Sequence, residues 1–322
     1  MPSSVAVSRT AVVVAFAAGR LTGVATRPAA SQATERGSSA ALAEIWQPWL
    51  DAPDGPIICF SNPLTAVLKH FDFPLPEDAT PERFRIDGEA EREFRRFFDL
   101  SAEGFLYMTP SISQTKTGEA IGAVHLANLF ARNGLRVRAT QSRFLSWDDF
   151  RREDLILLGH DEANRWVDPV LEEYPLRLES TEGDQPRRIV NREPAQGEKA
   201  EYSIAYSEQD DRSAVEYALV SMIPGVDRQH RLLVIGGLNT QATQMAIEFL
   251  TSPVHVEELV ARLHANAPGH EGPWDFQMVL RAEVRDKVPT GGSVEALRVL
   301  SCESDNLARK AVKPLPATPA AR

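Results

Sequence analysis

The chain has 322 residues, with 35 basic against 45 acidic side chains and a formal net charge of −10. That length allows a large core, as one domain or two lobes, and 43% hydrophobic with 25% charged residues is an ordinary globular composition. The acidic balance speaks against direct contact with nucleic acid, because arginines pair only as Arg95-Arg96, Arg151-Arg152 and Arg187-Arg188, beside acids. Two cysteines, Cys59 and Cys302, are too few for a disulfide framework or a zinc site. Cys59, within the apolar run PIICF, reads as a buried and unreactive thiol.

At the N-terminus, SVAVSRTAVVVAFAAGRLTGVATRP is densely apolar only over residues 11–19, between Arg9 and Arg20. This falls short of the ~20 residues of a membrane span, although residues 5–24 reach it if both arginines snorkel. A secretory signal, a weak membrane anchor and a disordered leader all fit, and export or anchoring is favoured over a cytoplasmic location. RPAASQATERGSS (27–39) has linker composition, and ESDNLARKAVKPLPATPAAR (303–322) that of a disordered tail. The organisation expected is therefore a leader or anchor with linker over 1–38, an α/β domain over 39–302, and a tail over 303–322.

Within the domain, AALAEIWQPWLDA has helical spacing. GPIICFSNPLTAV reads as a strand, a polar turn and a helix opened by Pro63. EAEREFRRFF predicts an amphipathic helix with Phe94, Phe97 and Phe98 inward. TGEAIGAVHLANLFARNG is a long helix stopped by Gly134, with Ile121, Val124, Leu126, Leu129 and Phe130 on its apolar side. LRVRAT alternates as a strand, SWDDFRRE makes a short helix, and DLILLGHDEANRW repeats strand, turn and helix. RRIVNRE, AEYSIAYS and AVEYALVSMI are β-rich. RLLVIGGLNTQATQMAIEFL supplies another strand and helix, VHVEELVARLHANA a further helix, and two closing strands flank a PTGG turn. Strands alternating with helices predict a mixed, largely parallel sheet with helices on both faces in Rossmann-like layers, plus a β-rich middle section and a C-terminal hairpin.

Three apolar strands, ICF, LILL and LLVI, end alike, in Ser61-Asn62, in Gly159-His160-Asp161 and in Gly236-Gly237-Leu238-Asn239. If they run parallel, these loops share one edge, where open α/β sheets bind ligands. Thr115, Lys116, Thr117 and Gly118 precede the long helix and suit a phosphate or carboxylate. His160, Asn164, Arg165 and Trp166 line the same edge, and Gly236, Gly237, Asn239, Thr240 and Gln241 complete the candidate set. The plain alternative makes Ser61, Asp161 and Thr240 simple helix N-caps. No phosphate-loop or dinucleotide fingerprint, nucleophile elbow or H-E-x-x-H is present, so neither cofactor, metal nor catalytic residue is assigned.

IWQPWLDAPDGPIICFSNPL, TKTGEAIGAVHLANLFARNGLRVR, LSWDDFRREDLILLGHDEANRWV, NREPAQGEKAEYSIAYSE, EYALVSMIPG and GGLNTQATQMAIEFLTSP follow one another in this chain. In that order they resemble an uncharacterised module of soil bacteria, especially acidobacteria, over about residues 40–300. That module is similar to the C-terminal, extracytoplasmic part of proteins that begin with a helix-turn-helix or winged-helix domain and a membrane helix. The resemblance implies a non-catalytic sensory or ligand-binding region coupled to transcriptional regulation. This sequence departs from the pattern in showing no DNA-binding domain before residue 10, which fits either a standalone relative or a start methionine that cuts off an upstream region and part of a membrane helix. Its partner would be a small polar or anionic ligand. A nucleotide- or sugar-nucleotide-using enzyme with its site at the same sheet edge is the alternative.

Overall fold

The computed structural model describes residues 30–63, 65–71, 85–86, 88–100, 105–111, 114–180, 187–207 and 213–300. The expected leader and C-terminal tail lie outside the described residues, apart from the end of the expected linker. There α1 (Ala30–Leu50) extends back over residues read as linker. Among the described residues, no helix is long and apolar enough to cross a membrane.

After α1 come β1 (Ile57–Phe60), β2 (Thr65–Phe71), β3 (Arg85–Ile86), α2 (Gly88–Phe97) and β4 (Phe105–Ser111), then α3 (Thr117–Arg132) and β5 (Arg138–Gln141). α4 (Trp147–Arg152), β6 (Leu155–Leu158) and α5 (Val167–Leu171) follow. The β-rich middle gives β7 (Leu176–Glu179), β8 (Arg188–Asn191), β9 (Glu201–Ser203), β10 (Ala205–Tyr206) and β11 (Ser213–Pro224). The chain closes with β12 (Arg231–Gly237), α6 (Thr240–Thr251), α7 (Pro253–Asn266), β13 (Phe276–Arg285) and β14 (Val288–Val299).

Eight strands form one mixed sheet in the order β14-β13-β11-β12-β6-β1-β5, with β10 also on β11. β12, β6, β1 and β5 are mutually parallel, and β11, β13 and β14 extend the sheet antiparallel. Near-continuous apolar strands are what a sheet covered on both faces requires. On one face Ile58, Ile156, Leu158, Val220 and Ile235 pack under α1, α3, α6 and α7. On the other, Cys59, Leu155, Leu157 and Val234 pack under α4, α5 and the separate sheet β7-β8-β9. Trp46 anchors α1 by an edge contact with Phe130 and an indole N–H donated to the Leu250 carbonyl at 2.9 Å.

Four sequence readings are corrected. β1 leads into strand β2, not a helix, because residues 65–71 pair antiparallel with β4. Phe94, Phe97 and Phe98 face outward, at 38%, 81% and 54% exposure, because no described element packs over their side of α2. Ile121 and Val124 are exposed, whereas the buried stripe of α3 runs through Gly118, Gly122, Leu126 and Phe130. The closing hairpin turns at Asp286-Lys287, both at positive φ (50° and 62°), as a two-residue connection demands, and PTGG lies inside β14.

Candidate functional site

β1 is followed in the sheet by β5 on one side and β6 on the other. The route to β5 passes through α3 on one face, and the route to β6 through α4 on the opposite face. The strand order therefore reverses at β1, and the ends of β1 and β6 flank the gap where open α/β sheets form a crevice. Ser61, Asn62 and Gly159-His160-Asp161 sit on that rim.

Ser61 is fully buried and bound to Glu119 of α3: its amide donates to Oε2 at 3.0 Å and its hydroxyl to Oε1 at 2.6 Å. Burial pushes the Glu119 carboxyl above its ordinary range, against the pull of those two hydrogen bonds and of Lys116. Thr115 Oγ1 donates to the Ser61 carbonyl at 3.1 Å, so the loop before α3 is fastened to the end of β1. Gly159 makes the contact possible. It adopts φ +98°, and a Cβ there would lie 2.6 Å from Glu119 Oε1 and 2.7 Å from Ser61 Cβ.

The imidazole of His160 is completely buried. Its Nδ1 contacts Asp161 and lies 3.1 Å from Ser180 Oγ, which donates to Asp161 Oδ1 at 2.7 Å. Burial disfavours the Asp161 carboxylate, but His160 and the hydroxyl and amide of Ser180 outweigh it and hold its pKa at about 2. Nε2 of His160 is buried with no hydrogen-bond partner among the described residues. Lys116 is half-buried on the same rim, and its ammonium forms no hydrogen bond or ion pair among the described residues. Its pKa is lowered by burial and then by Arg187, with Glu119, Glu162 and Asp161 pulling the other way. Arg187 is tied to Glu162 at 2.7 Å.

The remaining expected residues build the rim. Asn62 donates to Gln141 Oε1 at 2.6 Å, and Arg143 donates to its carbonyl at 3.0 Å. Asn164 donates to the carbonyls of Cys59 and Leu158, clasping the ends of β1 and β6 together. Trp166 is buried in a stack with Phe150 and Trp147 and donates to the Ser142 carbonyl at 2.9 Å. Arg165 lies over its ring at 5.4 Å. Gly236 and Gly237 admit the chain's own atoms: a Cβ would meet Leu178 Cδ1 at 2.4 Å at the first and the Thr243 amide nitrogen at 2.4 Å at the second. Gln241 is half-buried in the first turn of α6.

The N-cap alternative fails in an instructive way. Ser61 and Asp161 begin no helix, and the residue before α6 is Asn239. Thr240 Oγ1 instead accepts the Gly118 amide of α3 at 2.7 Å. α6 is capped from afar by the buried Glu216, which accepts from the Ala242 amide at 3.2 Å and from Asn239 Nδ2 at 3.1 Å. That helix terminus thus already holds a carboxylate. Glu119, Ser180 and Glu216 escaped sequence reasoning, since neither an acid in a helical turn, a serine after a strand nor an acid within a strand carries a mark of its distant partner.

Cys59 is buried and its thiol is pushed up to about 12, chiefly by desolvation, as expected of an inert core residue. No cluster of three or more His, Cys, Asp or Glu that could hold a metal occurs among the described residues. Fold and rim together define an α/β module with a mixed sheet and a polar edge at its change of strand order. No protein-family model, curated protein or solved structure matches the chain.

Proposed function

We propose that the chain is a non-catalytic α/β module that binds a small polar or anionic molecule at the ends of β1 and β6. One observation carries this reading: Lys116, half-buried and unpaired among the described residues, stands on the rim where the strand order reverses. It supplies the cation for a carboxylate, phosphate or carbonyl group, and the half-buried Arg143, bound to the carbonyl of the buried Asn62, stands at the end of β1 on the β5 side. In the arrangement that the resemblance implies, the ligand is sensed outside a membrane, and residues preceding α1 tether the module to a regulator.

The test is a thermal-shift screen of the purified chain against nucleoside monophosphates, sugar phosphates and small dicarboxylates. A compound at about 100 times its Kd adds roughly 2.7 kcal/mol to stability. Lys116→Met is expected to abolish the response and leave the unliganded melting temperature within a degree or two, on the scale of a surface change of about 0.5 kcal/mol. An undiminished response in that variant removes the ligand from this rim.

A second reading, an enzyme acting on a nucleotide or sugar nucleotide, is favoured by His160. An ionised carboxylate on Nδ1 and an unpartnered Nε2 together form the arrangement of a general base. Turnover of a responding compound by the wild type, lost in His160→Gln while binding persists, replaces the binding reading with this one.

A further inference from the structure

α2 carries an aromatic stripe that no element among the described residues covers. At about 100° per residue, Ala90, Phe94, Phe97 and Phe98 fall on one side of the helix. All four are exposed, Phe97 at 81%. Phe94 and Phe98 stack at 6.2 Å, and Phe97 meets Phe98 edge-on at 4.9 Å, so the rings form one patch. Apolar patches of this kind on a folded surface mark contact sites.

The charges beside the patch say what covers it. Along one border Glu89 and Glu93 precede Arg96, and along the other Glu91 precedes Arg95. Acid comes first and base last on both borders, so the surface is complementary to itself turned end for end. A two-fold axis near residue 93 sets Glu89 against Arg96 of a second copy and brings the Phe94 rings together. Glu91 and Arg95 are already paired within the helix at 2.6 Å, which holds their charges beside the stripe. The helix carries three acids and three bases, Glu89, Glu91 and Glu93 against Arg92, Arg95 and Arg96. It therefore lacks the net positive face that draws amphipathic helices to anionic lipid.

We propose that two copies of this chain associate through antiparallel packing of their α2 helices. A helix of 10 residues presents less area than the ~800 Å² per partner of a standard interface, so the dimer is weak and concentration-dependent.

Sedimentation equilibrium of the full chain over a hundredfold range of concentration tests this. The mass of the wild type is expected to rise toward that of two chains. Phe97→Ser, Glu89→Arg and Arg96→Glu are each expected to weaken association about tenfold, and the double variant Glu89→Arg/Arg96→Glu to recover most of it. Circular dichroism checks that every variant is folded. A monomer at all concentrations overturns the proposal. So does association indifferent to these substitutions, which places the contact elsewhere in the chain, including residues before α1. Binding of the wild type to phosphatidylglycerol vesicles without self-association, lost in Phe97→Ser, gives the surface to a membrane instead.

Discussion

Glu119 illustrates how one buried carboxyl organises the rim. It accepts the Ser61 amide and hydroxyl together, so its removal would leave a buried N–H and O–H without partners. Its pKa is raised by burial above the ordinary value of 4.5. An acid raised in the folded state binds its proton more tightly there than in the unfolded chain. Its favourable contribution is complete below about 4.5 and is lost as pH climbs through the raised value. Glu119→Gln, which does not titrate, is therefore expected to gain stability relative to the wild type as pH rises from 4 toward 8. Urea unfolding at several pH values measures the difference, and a variant that instead loses stability relative to the wild type as pH rises would mean the ionised carboxylate is the form the fold favours. Asp161 behaves in the opposite sense, since its pKa is held at about 2. Neither environment was legible in the sequence, because each depends on a residue from another part of the chain, Ser61 in one case and Ser180 in the other.

At the scale of elements, α3 and α6 touch through glycines. A Cβ at Gly118 would lie 2.0 Å from the Thr240 carbonyl oxygen, and one at Gly122 2.2 Å from Ile247 Cδ1. Two effects oppose each other in Gly122→Ala. Alanine favours a helix interior over glycine by about 1 kcal/mol, while overpacking costs about 1–3 kcal/mol. The Ile247 methyl can swing aside, but its Cβ and Cγ1 also stand at 3.2 Å. A net loss of about 1 kcal/mol is expected in denaturant melts, recovered in part by adding Ile247→Val. A stabilised single variant would show that the helices separate at little cost. Existence and type of the long elements were readable from periodicity, as in α3 stopped by Gly134 at φ +79°. The buried side of α3 was readable at Leu126, Leu129 and Phe130 but not at Gly118 and Gly122, which have no side chain to carry an apolar signal and are inward because α6 comes so close.

For the whole molecule, the small sheet and the main sheet are joined by a buried glutamine. Gln277 of β13 accepts from the Leu176 amide at 3.0 Å, donates to the Leu176 carbonyl at 2.8 Å, and donates to Ser221 Oγ at 2.9 Å. Gln277→Leu leaves both Leu176 groups unsatisfied, at about 1–3 kcal/mol each. Hydrogen exchange is expected to lose protection first in β7 and β8, while β11 and β12 stay protected. Uniform loss of protection would mean that both sheets unfold as a single unit.

The primary structure was enough to read the alternation of strands and helices, the buried runs ICF, LILL and LLVI, and the buried Cys59, all consequences of local periodicity and composition. It held that these three strands, if parallel, would bring Ser61, His160 and Asn239 to one edge, and β1, β6 and β12 do pair parallel. Tertiary structure alone decided that β1 is followed by a strand, that Gly236 and Gly237 face the protein interior, and that the α6 terminus is filled by Glu216. Those outcomes turn on which distant segments meet, and a residue's local pattern holds no record of the neighbour that will occupy its empty side.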